Sequence, residues 1–334
     1  MPEFRKDIIT DDWVIIATER AKRPEDFTKT RKVSGKGMKE CPFDPGNEEL
    51  TPPEILRVDK NGKIIGKDSG WQIRIVPNKF PALLNEATTK KVSDGFYSSM
   101  DSFGIHEVII NTPRHLTSLS DLDLKDLRLM FFVYRLRIGM LKKIGRLKSV
   151  IVMLNQGMEA GASLEHSHSQ IFALPLIPYK LKRELEGMKR YHNKTGDCAL
   201  CYMIDHEDSE KKRVVFQNKH FMVIEPYASK GPFETWILPK RHHSNFENIS
   251  DSELDSFTEC LKLLLDFFSD RLENPSFNYY IHTGPINHRS HDYYHWHFEF
   301  IPKLSIKAGF EIATGIHISI TSPEAAASYI RNNI

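Results

Sequence analysis

From His166 to Gln170 large polar side chains alternate with serines, with the period of a β-strand, and an apolar run follows over residues 171–174. His166, His168 and Gln170 hold alternate positions, so their side chains point to one face, roughly 6–7 Å apart. The preceding residues 155–165 contain two glycines and few large apolar side chains, which predicts a loop. Two imidazoles and a carboxamide in one row are costly to bury without partners. The row is therefore either a solvent-facing strand edge or a functional site.

The same pattern occurs a second time, with His295, His297 and Glu299 in alternation. In each half a strand ends in proline, one or two basic residues and histidine, and a helix, a strand and a loop follow. His115 and His166 are 51 residues apart, and His242 and His295 are 53 residues apart. So many features in one order predict an internal duplication.

The duplication predicts an α+β fold of two tandem repeats, whose antiparallel sheets join side by side with helices packed on them. We expect an N-terminal half at residues 1–185 that carries the active site, and a degenerate C-terminal half at residues 186–334. Ser120 with Asp123, and Ser250 with Glu253, predict the starts of two long amphipathic helices. Residues 8–18 have the pattern of a hairpin with its turn near Asp11 and Asp12.

Composition narrows the class of protein. The chain has 334 residues, of which 40% are hydrophobic and 27% charged, with a formal net charge of +2. These values are typical of a globular protein and give no argument for a nucleic-acid or membrane surface. The N-terminus lacks the apolar core of a signal peptide, and no run approaches roughly eighteen apolar residues. Only four cysteines occur, too few for a disulfide scaffold, so we expect a cytoplasmic protein.

The repeat also predicts two equivalent metal positions. In the second half two thiolates and two imidazoles form the ligand set of a structural zinc site: Cys198, Cys201, His242 and His295. The plainer alternative is a pair of unrelated reduced cysteines. The first-half equivalents are Cys41, Asp44, His115 and His166. Because Asp44 replaces a soft thiolate, the metal in this first site is left open.

If His166 is a metal ligand, His168 is the free imidazole beside it. A largely neutral imidazole can attack phosphorus and form a covalent N-phosphoryl intermediate. Gln170 lies on the same face and can donate to a phosphoryl oxygen. Ser163 and the backbone amides of residues 157–161, including Gly161, are suited to bind a neighbouring phosphate.

Arg20 and Arg23 lie in a compact basic loop near the N-terminus. Their guanidinium groups are suited to phosphoryl oxygens, and a phosphate clamp is one interpretation of the loop. A solvated charge cluster is the other.

With these residues in view, the chain resembles the galactose-1-phosphate uridylyltransferase family, a duplicated branch of the histidine-triad superfamily, over nearly its whole length. The residues that carry the resemblance are Arg20-Ala-Lys-Arg23-Pro, Asn78, Asn155, Gly157, Gly161, Ser163, His166-x-His168-x-Gln170 and Gly309-Phe310-Glu311. The resemblance implies a nucleotidyltransferase of ping-pong mechanism, in which UDP-glucose gives uridylyl-His168 and glucose 1-phosphate. Galactose 1-phosphate then accepts the uridylyl group.

The resemblance also implies roles for residues around the nucleophile. Gln170 contacts the phosphoryl oxygens, and Asn155 and Ser163 contact the nucleotide phosphates. Arg20 and Arg23 match family arginines near the phosphates that reach across a homodimer. Glu311 matches a residue that hydrogen-bonds the sugar hydroxyls.

Several positions depart from the family pattern. Lys79 stands where an aspartate near the ribose is expected, Phe310 replaces a tyrosine, and His317 replaces a sugar-contacting glutamine. Some members build the second metal site from residues matching Glu184, His282, His295 and His297. His295 cannot easily serve that set and the cysteine set together, and ligand softness favours the cysteines.

The cysteine pair and the residues around Phe310 also resemble a sister group, the ADP-glucose phosphorylases, in which orthophosphate is the acceptor. The base, uracil or adenine, and the acceptor, galactose 1-phosphate or phosphate, therefore stay open. A nucleotide-sugar hydrolase is a further alternative, but such enzymes carry a third histidine where Gln170 stands. A catalytically silent, zinc-stabilised nucleotide-binding module is disfavoured by His168.

Overall fold

The computed structural model describes residues 1–20, 41–67, 69–286 and 292–334, and for Arg20 it describes only the backbone. Within these ranges the chain forms sixteen strands and six α-helices. The strands are β1 (Glu3–Lys6), β2 (Trp13–Ile16), β3 (Leu56–Val58), β4 (Ile64–Ile65), β5 (Ile73–Pro77), β6 (Lys91–Asp94), β7 (Tyr97–Met100), β8 (Ile105–Ile110), β9 (Ser149–Gln156), β10 (His168–Leu174), β11 (Val214–Gln217), β12 (Phe221–Ile224), β13 (Thr235–Pro239), β14 (Phe277–His282), β15 (His297–Pro302) and β16 (His317–Ser319). The helices are α1 (Leu124–Leu141), α2 (Tyr179–Thr195), α3 (Ala199–Glu210), α4 (Asp251–Arg271), α5 (Gly309–Thr314) and α6 (Pro323–Arg331).

Eleven strands form one antiparallel sheet in the order β11-β12-β13-β15-β14-β9-β10-β8-β5-β3-β4. The two halves meet where β14 pairs with β9, with Tyr279 opposite Leu154. On either side of this junction the strands follow the same order, so β15 corresponds to β10, β13 to β8 and β12 to β5. The predicted α+β fold, with antiparallel sheets joined side by side, is confirmed. A smaller sheet joins β1, β2 and β16, and β6 pairs with β7.

Helix α4 begins where its capping residues predict, whereas α1 begins at Leu124 with Asp123 as N-cap, because residues 119–121 after Ser118 form a separate 3-10 turn. The Asp123 side chain accepts from the Asp126 N–H, and Ser250 with Glu253 forms a complete capping box. The two helices pack through Phe131 and Phe257, whose ring centroids lie 4.7 Å apart. Buried side chains of both halves thus form one continuous hydrophobic core. The expected boundary between residues 185 and 186 lies within α2 and stays a prediction.

The N-terminal hairpin differs from its prediction. Its strands are β1 and β2, and residues 8–10 belong to the turn rather than to a strand. The Asp7 carboxylate accepts hydrogen bonds from the N–H groups of Ile9 and Thr10, at 2.7 and 2.9 Å, and so bends the chain. Asp11 then adopts a left-handed conformation with φ 62°. Across the described ranges, no helix has the length and apolar character needed to cross a bilayer.

Candidate functional site

His168 is the first residue of β10, and its imidazole is buried, with 7% of the residue exposed. Its Nδ1 lies 2.8 Å from the backbone carbonyl oxygen of His166. Because a carbonyl only accepts, Nδ1 carries the proton and Nε2 keeps its lone pair. Burial lowers the pKa of the His168 imidazole. A buried ring with one free lone pair has the properties of a nitrogen nucleophile.

The loop after β9 is held in a tight turn by two glycines of positive φ, Gly157 at 81° and Gly161 at 88°. The N–H of Ala162 donates to the carbonyl of Gly157 at 3.1 Å, which closes the turn. Ser163 is exposed on the same loop. Asn155 lies at the end of β9, and its side-chain oxygen accepts from Asn278 at 2.7 Å. Gly161 lies near the Asn155 amide, and Ser163 follows on the same loop ahead of the strand that carries His168.

Gln170 lies on the same face of β10 as His168 and is part of a row of polar side chains in close contact. Its Oε1 lies 2.8 Å from Nε2 of His106, and Nδ2 of Asn78 lies 3.0 Å from the same nitrogen. Asn78 follows β5 directly. In the ladder between β10 and β8, His168 lies opposite Ile110 and Gln170 opposite Val108, so Gln170 stands between His168 and the end of the strand where Asn78 and His106 meet.

Three residues at this site were missed by the sequence analysis: Phe43, His106 and Asn278. The Phe43 ring lies 5.3 Å from the His168 ring and covers one side of it. His106 contacts both amides of the row, and Asn278 donates to Asn155 and to the carbonyl of Ala160. The signal in the sequence that could have revealed His106 and Asn278 is a polar residue within an otherwise largely apolar strand.

The four predicted ligands of the first metal position lie together, with their donor atoms within 4.8 Å of one another. Asp44 Oδ1 lies 2.8 Å from Nδ1 of His115 and 3.0 Å from Nδ1 of His166. His166 Nε2 donates to the carbonyl of Thr112 at 2.8 Å, so Nδ1 faces Cys41 and Asp44 with its lone pair. A backbone acceptor on the second ring nitrogen is the usual way a ligating histidine is oriented.

The second-half group likewise converges, with Cys198 and Cys201 near the start of α3 and His242 and His295 opposite. Cys201 Sγ lies 3.5 Å from Nδ1 of each histidine. A hydrogen bond from Cys201 lowers the pKa of Cys198, and His242 and His295 support the shift. The Nε2 atoms of both histidines are buried. Two thiols and two imidazoles in this arrangement fit a tetrahedral metal ion.

A third group, Glu184, His282 and His297, forms separately from the cysteine group. His282 lies between two carboxylates, 3.0 Å from Glu184 and 2.8 Å from Glu299. Burial alone would lower the pKa of His282, but Glu184 and then Glu299 raise it to about 10. The competition expected for His295 does not arise, because His295 lies with the cysteines and the third group forms without it.

Glu311 and His317 lie beside the second half rather than beside His168. Burial, followed by Lys307, Lys230 and Lys180, lowers the pKa of His317 to about 4. Lys230 in turn lies 3.5 Å from Glu299 of β15. In the sheet β15 is three strands from β10, roughly 14 Å at the usual strand spacing. Arg23 and the side chain of Arg20 fall outside the described residues.

Comparison with known proteins matches both halves of the chain to one family. Residues 1–178 match the N-terminal domain of galactose-1-phosphate uridyl transferase, and residues 184–329 match its C-terminal domain. ADP-glucose phosphorylase of Arabidopsis thaliana is 36% identical over 99% of this chain and 92% of its own. Galactose-1-phosphate uridylyltransferase of Thermotoga maritima is 29% identical over 99% of this chain and 98% of its own.

Solved structures give the same result. The Arabidopsis thaliana ADP-glucose phosphorylase with bound ADP-glucose superimposes with a TM-score of 0.83 and 34% identity, covering 99% of each chain. A uridylyltransferase superimposes with a TM-score of 0.77 and 27% identity, covering 100% of this chain and 98% of that one. The resemblance inferred from the sequence is thus confirmed. The chain belongs to the galactose-1-phosphate uridyl transferase family of nucleotidyltransferases.

Proposed function

We propose that this protein is a nucleotide-sugar phosphorylase that transfers the adenylyl group of ADP-glucose to orthophosphate through His168. Nε2 of His168 attacks the α-phosphorus, and an N–P bond forms as the bond to glucose 1-phosphate breaks. An oxygen of orthophosphate then attacks the same phosphorus, the histidine leaves, and ADP is released. The observation that carries the mechanism is the His168 ring, whose Nδ1–H is held by the His166 carbonyl while Nε2 keeps its lone pair.

The neighbouring residues supply the donors that this chemistry needs. Gln170 donates to the phosphoryl oxygens, and Asn155, Gly161 and Ser163 hold the adjoining phosphate, with Asn78 near the nucleotide. Preorganised neutral donors stabilise the charge that develops on the phosphoryl oxygens. We propose that Arg20 and Arg23 add positive charge at the same phosphates.

The first half, up to residue 185, would be the active one, and the second half would be degenerate. His297 and Glu299 stand where the first half has His168 and Gln170. The His297 ring is stacked on His282 with centroids 4.4 Å apart, and Trp236 covers it at 5.1 Å. A fully covered ring beside a carboxylate is unsuited to receive a phosphate.

The similarity to known relatives favours ADP-glucose and orthophosphate as the substrate pair over UDP-glucose and galactose 1-phosphate. The Arabidopsis ADP-glucose phosphorylase is 36% identical, against 29% for the Thermotoga uridylyltransferase, at equal coverage of this chain. This reverses the order of preference that the sequence alone suggested. The uridylyltransferase reaction stays the second candidate, because that relative also matches over 99% of this chain.

The test is a matrix of ADP-glucose and UDP-glucose against orthophosphate and galactose 1-phosphate, with release of glucose 1-phosphate as readout. We expect ADP-glucose with orthophosphate to give the highest kcat/KM. Incubation with α-labelled ADP-glucose alone should leave acid-labile, base-stable label on the protein. His168→Asn should trap none, whereas His206→Asn, at an exposed position of α3, should label as wild type does. Product formation without any trapped label would overturn the covalent mechanism.

We also propose that zinc fills the two equivalent ligand groups and fastens the long loops to the sheet. The second group, Cys198, Cys201, His242 and His295, has the donor set that zinc prefers. In the first group, Cys41, Asp44, His115 and His166, carboxylate oxygen takes the place of one thiolate. Neither site lies on the reaction path, so both would be structural.

A homodimer would complete the sugar pocket. Glu311 and His317 would contact the sugar, yet within one chain they lie beside β15, several strands from His168. A second copy of the chain would bring these residues to the nucleotide. Sedimentation of the purified protein, with and without ADP-glucose, checks the assembly.

A further inference from the structure

His106 lies between the two amides that flank the nucleophile. In the ladder between β8 and β10, Gln170 is opposite Val108, so His106 is its diagonal neighbour on the same face. On the other side, the backbone N–H of Asn78 donates to the carbonyl of His106 at 2.9 Å. Three neighbouring strands thus place Asn78, His106 and Gln170 in one row across the sheet.

The backbone N–H of Ala82 decides which nitrogen of His106 carries the proton. This N–H lies 3.1 Å from Nδ1 of His106 and can only donate, so Nδ1 must be the acceptor. The ring proton therefore lies on Nε2, which is 2.8 Å from Gln170 Oε1. A proton-bearing nitrogen needs an acceptor, so the Gln170 carboxamide is held with its oxygen toward His106. Its NH2 group is then turned away from the ring and is available to a ligand.

The His106 ring has little freedom to release this constraint. It is stacked on Phe172 with ring centroids 3.9 Å apart and planes 24° apart, and it is 9% exposed. The side-chain oxygen of Asn78 accepts from the N–H of Phe80 at 2.9 Å, which fixes that amide as well. Asn78 Nδ2, 3.0 Å from Nε2 of His106, is itself a donor, so it does not compete with Gln170 Oε1 for the ring proton.

We propose that His106 is a positioning residue for nucleotidyl transfer, which aims the Gln170 NH2 group at the phosphoryl oxygens by holding the amide oxygen. The role rests on the proposed function, because Gln170 is the group through which it acts. Without His106 the carboxamide can rotate by half a turn and present its oxygen to an anionic phosphate. A misdirected donor at the reacting group lowers the rate far more than it lowers binding.

Two variants separate this role from a structural one. His106→Leu removes both hydrogen bonds, whereas His106→Gln keeps an acceptor for Ala82 and a donor for Gln170. We expect His106→Leu to slow single-turnover nucleotidylation of His168 by about 10- to 100-fold, with KM changed by less than about threefold. His106→Gln should recover most of the rate. In a Gln170→Ala background, His106→Leu should lower the nucleotidylation rate little further, since the two residues act as a unit.

Two kinetic results would contradict the proposal. The proposal would be overturned if His106→Leu lowered the nucleotidylation rate equally with and without Gln170, or if His106→Gln recovered none of that rate. The tautomer has its own test, because the ¹⁵N spectrum of labelled imidazole should show a bare Nδ1 and a protonated Nε2 for His106. A protonated Nδ1 would overturn the proposal whatever the substrate. If the tautomer is as expected but no nucleotide sugar labels His168, the proposed function fails instead.

Discussion

Asn278 of β14 donates a hydrogen bond to the side-chain oxygen of Asn155 at 2.7 Å, across the junction between the two halves of the sheet. The same amide donates to the carbonyl of Ala160 at 2.9 Å. The second half thus holds the loop that precedes His168, the proposed nucleophile of the first half. This contact gives the second half a role at the proposed active site, although its own histidine row is covered.

Asn278→Ala should therefore weaken substrate binding without changing the nucleophile. Two hydrogen bonds of about 1 kcal/mol each are lost, so KM for the nucleotide sugar should rise by up to about 30-fold, with a smaller fall in kcat. Steady-state kinetics measures both. Asn61→Ala, in an exposed turn, serves as control and should leave KM as it is. An unchanged KM in Asn278→Ala would show that the loop holds its shape without the amide.

Gly157→Ala should damage both stability and activity. At φ 81° an alanine is strained, and a Cβ would overlap the side chain of Ser276 and lie 3.2 Å from its Cα. We expect a loss of about 2 kcal/mol or more in the free energy of unfolding, and a lower kcat/KM. Gly139→Ala is the matched control, because a Cβ there meets nothing within 4 Å and the position is helical. It should stabilise the protein by about 0.5–1 kcal/mol.

Asp44→Cys should strengthen metal binding at the first ligand group. It restores the second thiolate that the other group has in Cys198 and Cys201, and thiolate is a softer ligand than carboxylate. We expect the zinc affinity of this site to rise by about 10-fold or more, as measured by competition with a chromophoric chelator. Cys198→Ser should instead lower the zinc content by about one ion per chain. Equal retention of zinc by Asp44→Cys and wild type would argue against Asp44 as a ligand.

Glu225→Gln should stabilise the protein more at high pH than at low pH. The Glu225 side chain is fully buried, and burial raises its pKa well above the ordinary value. The folded state therefore binds the proton more tightly, and the charge costs stability as the pH rises above the unfolded pKa of about 4.5. Glutamine mimics the protonated form. Its melting temperature should exceed that of wild type by a few degrees at pH 8 and by less at pH 5.

Glu259→Gln, at an exposed position of α4, controls for the loss of one negative charge. Its difference from wild type should be small and should not vary with pH. A pH-independent gain in Glu225→Gln would mean that this carboxyl does not titrate between pH 5 and pH 8.

The sequence by itself determined the duplicated fold, the strand that carries His168 and the membership of two ligand groups. Strand alternation and helix capping are local, so Ser250 with Glu253, or His166 with His168, reveal their geometry from spacing alone. The ligand groups followed from the repeat, because equivalent positions of two copies of one fold occupy equivalent places. The repeat also singles out His168, since one histidine is left over beside each ligand group.

Only the tertiary structure decided which residues meet across the sheet. His106 and Gln170 are 64 residues apart, and Asn155 and Asn278 are 123 residues apart, so strand register brings each pair together. The turn lies next to Asp11 and Asp12 as the sequence predicts, but it also takes in residues 8–10, because the Asp7 carboxylate outweighs the β propensity of Ile8 and Ile9. Side-chain hydrogen bonds and strand pairing are set by contacts between distant segments, and a single chain's local pattern does not encode them.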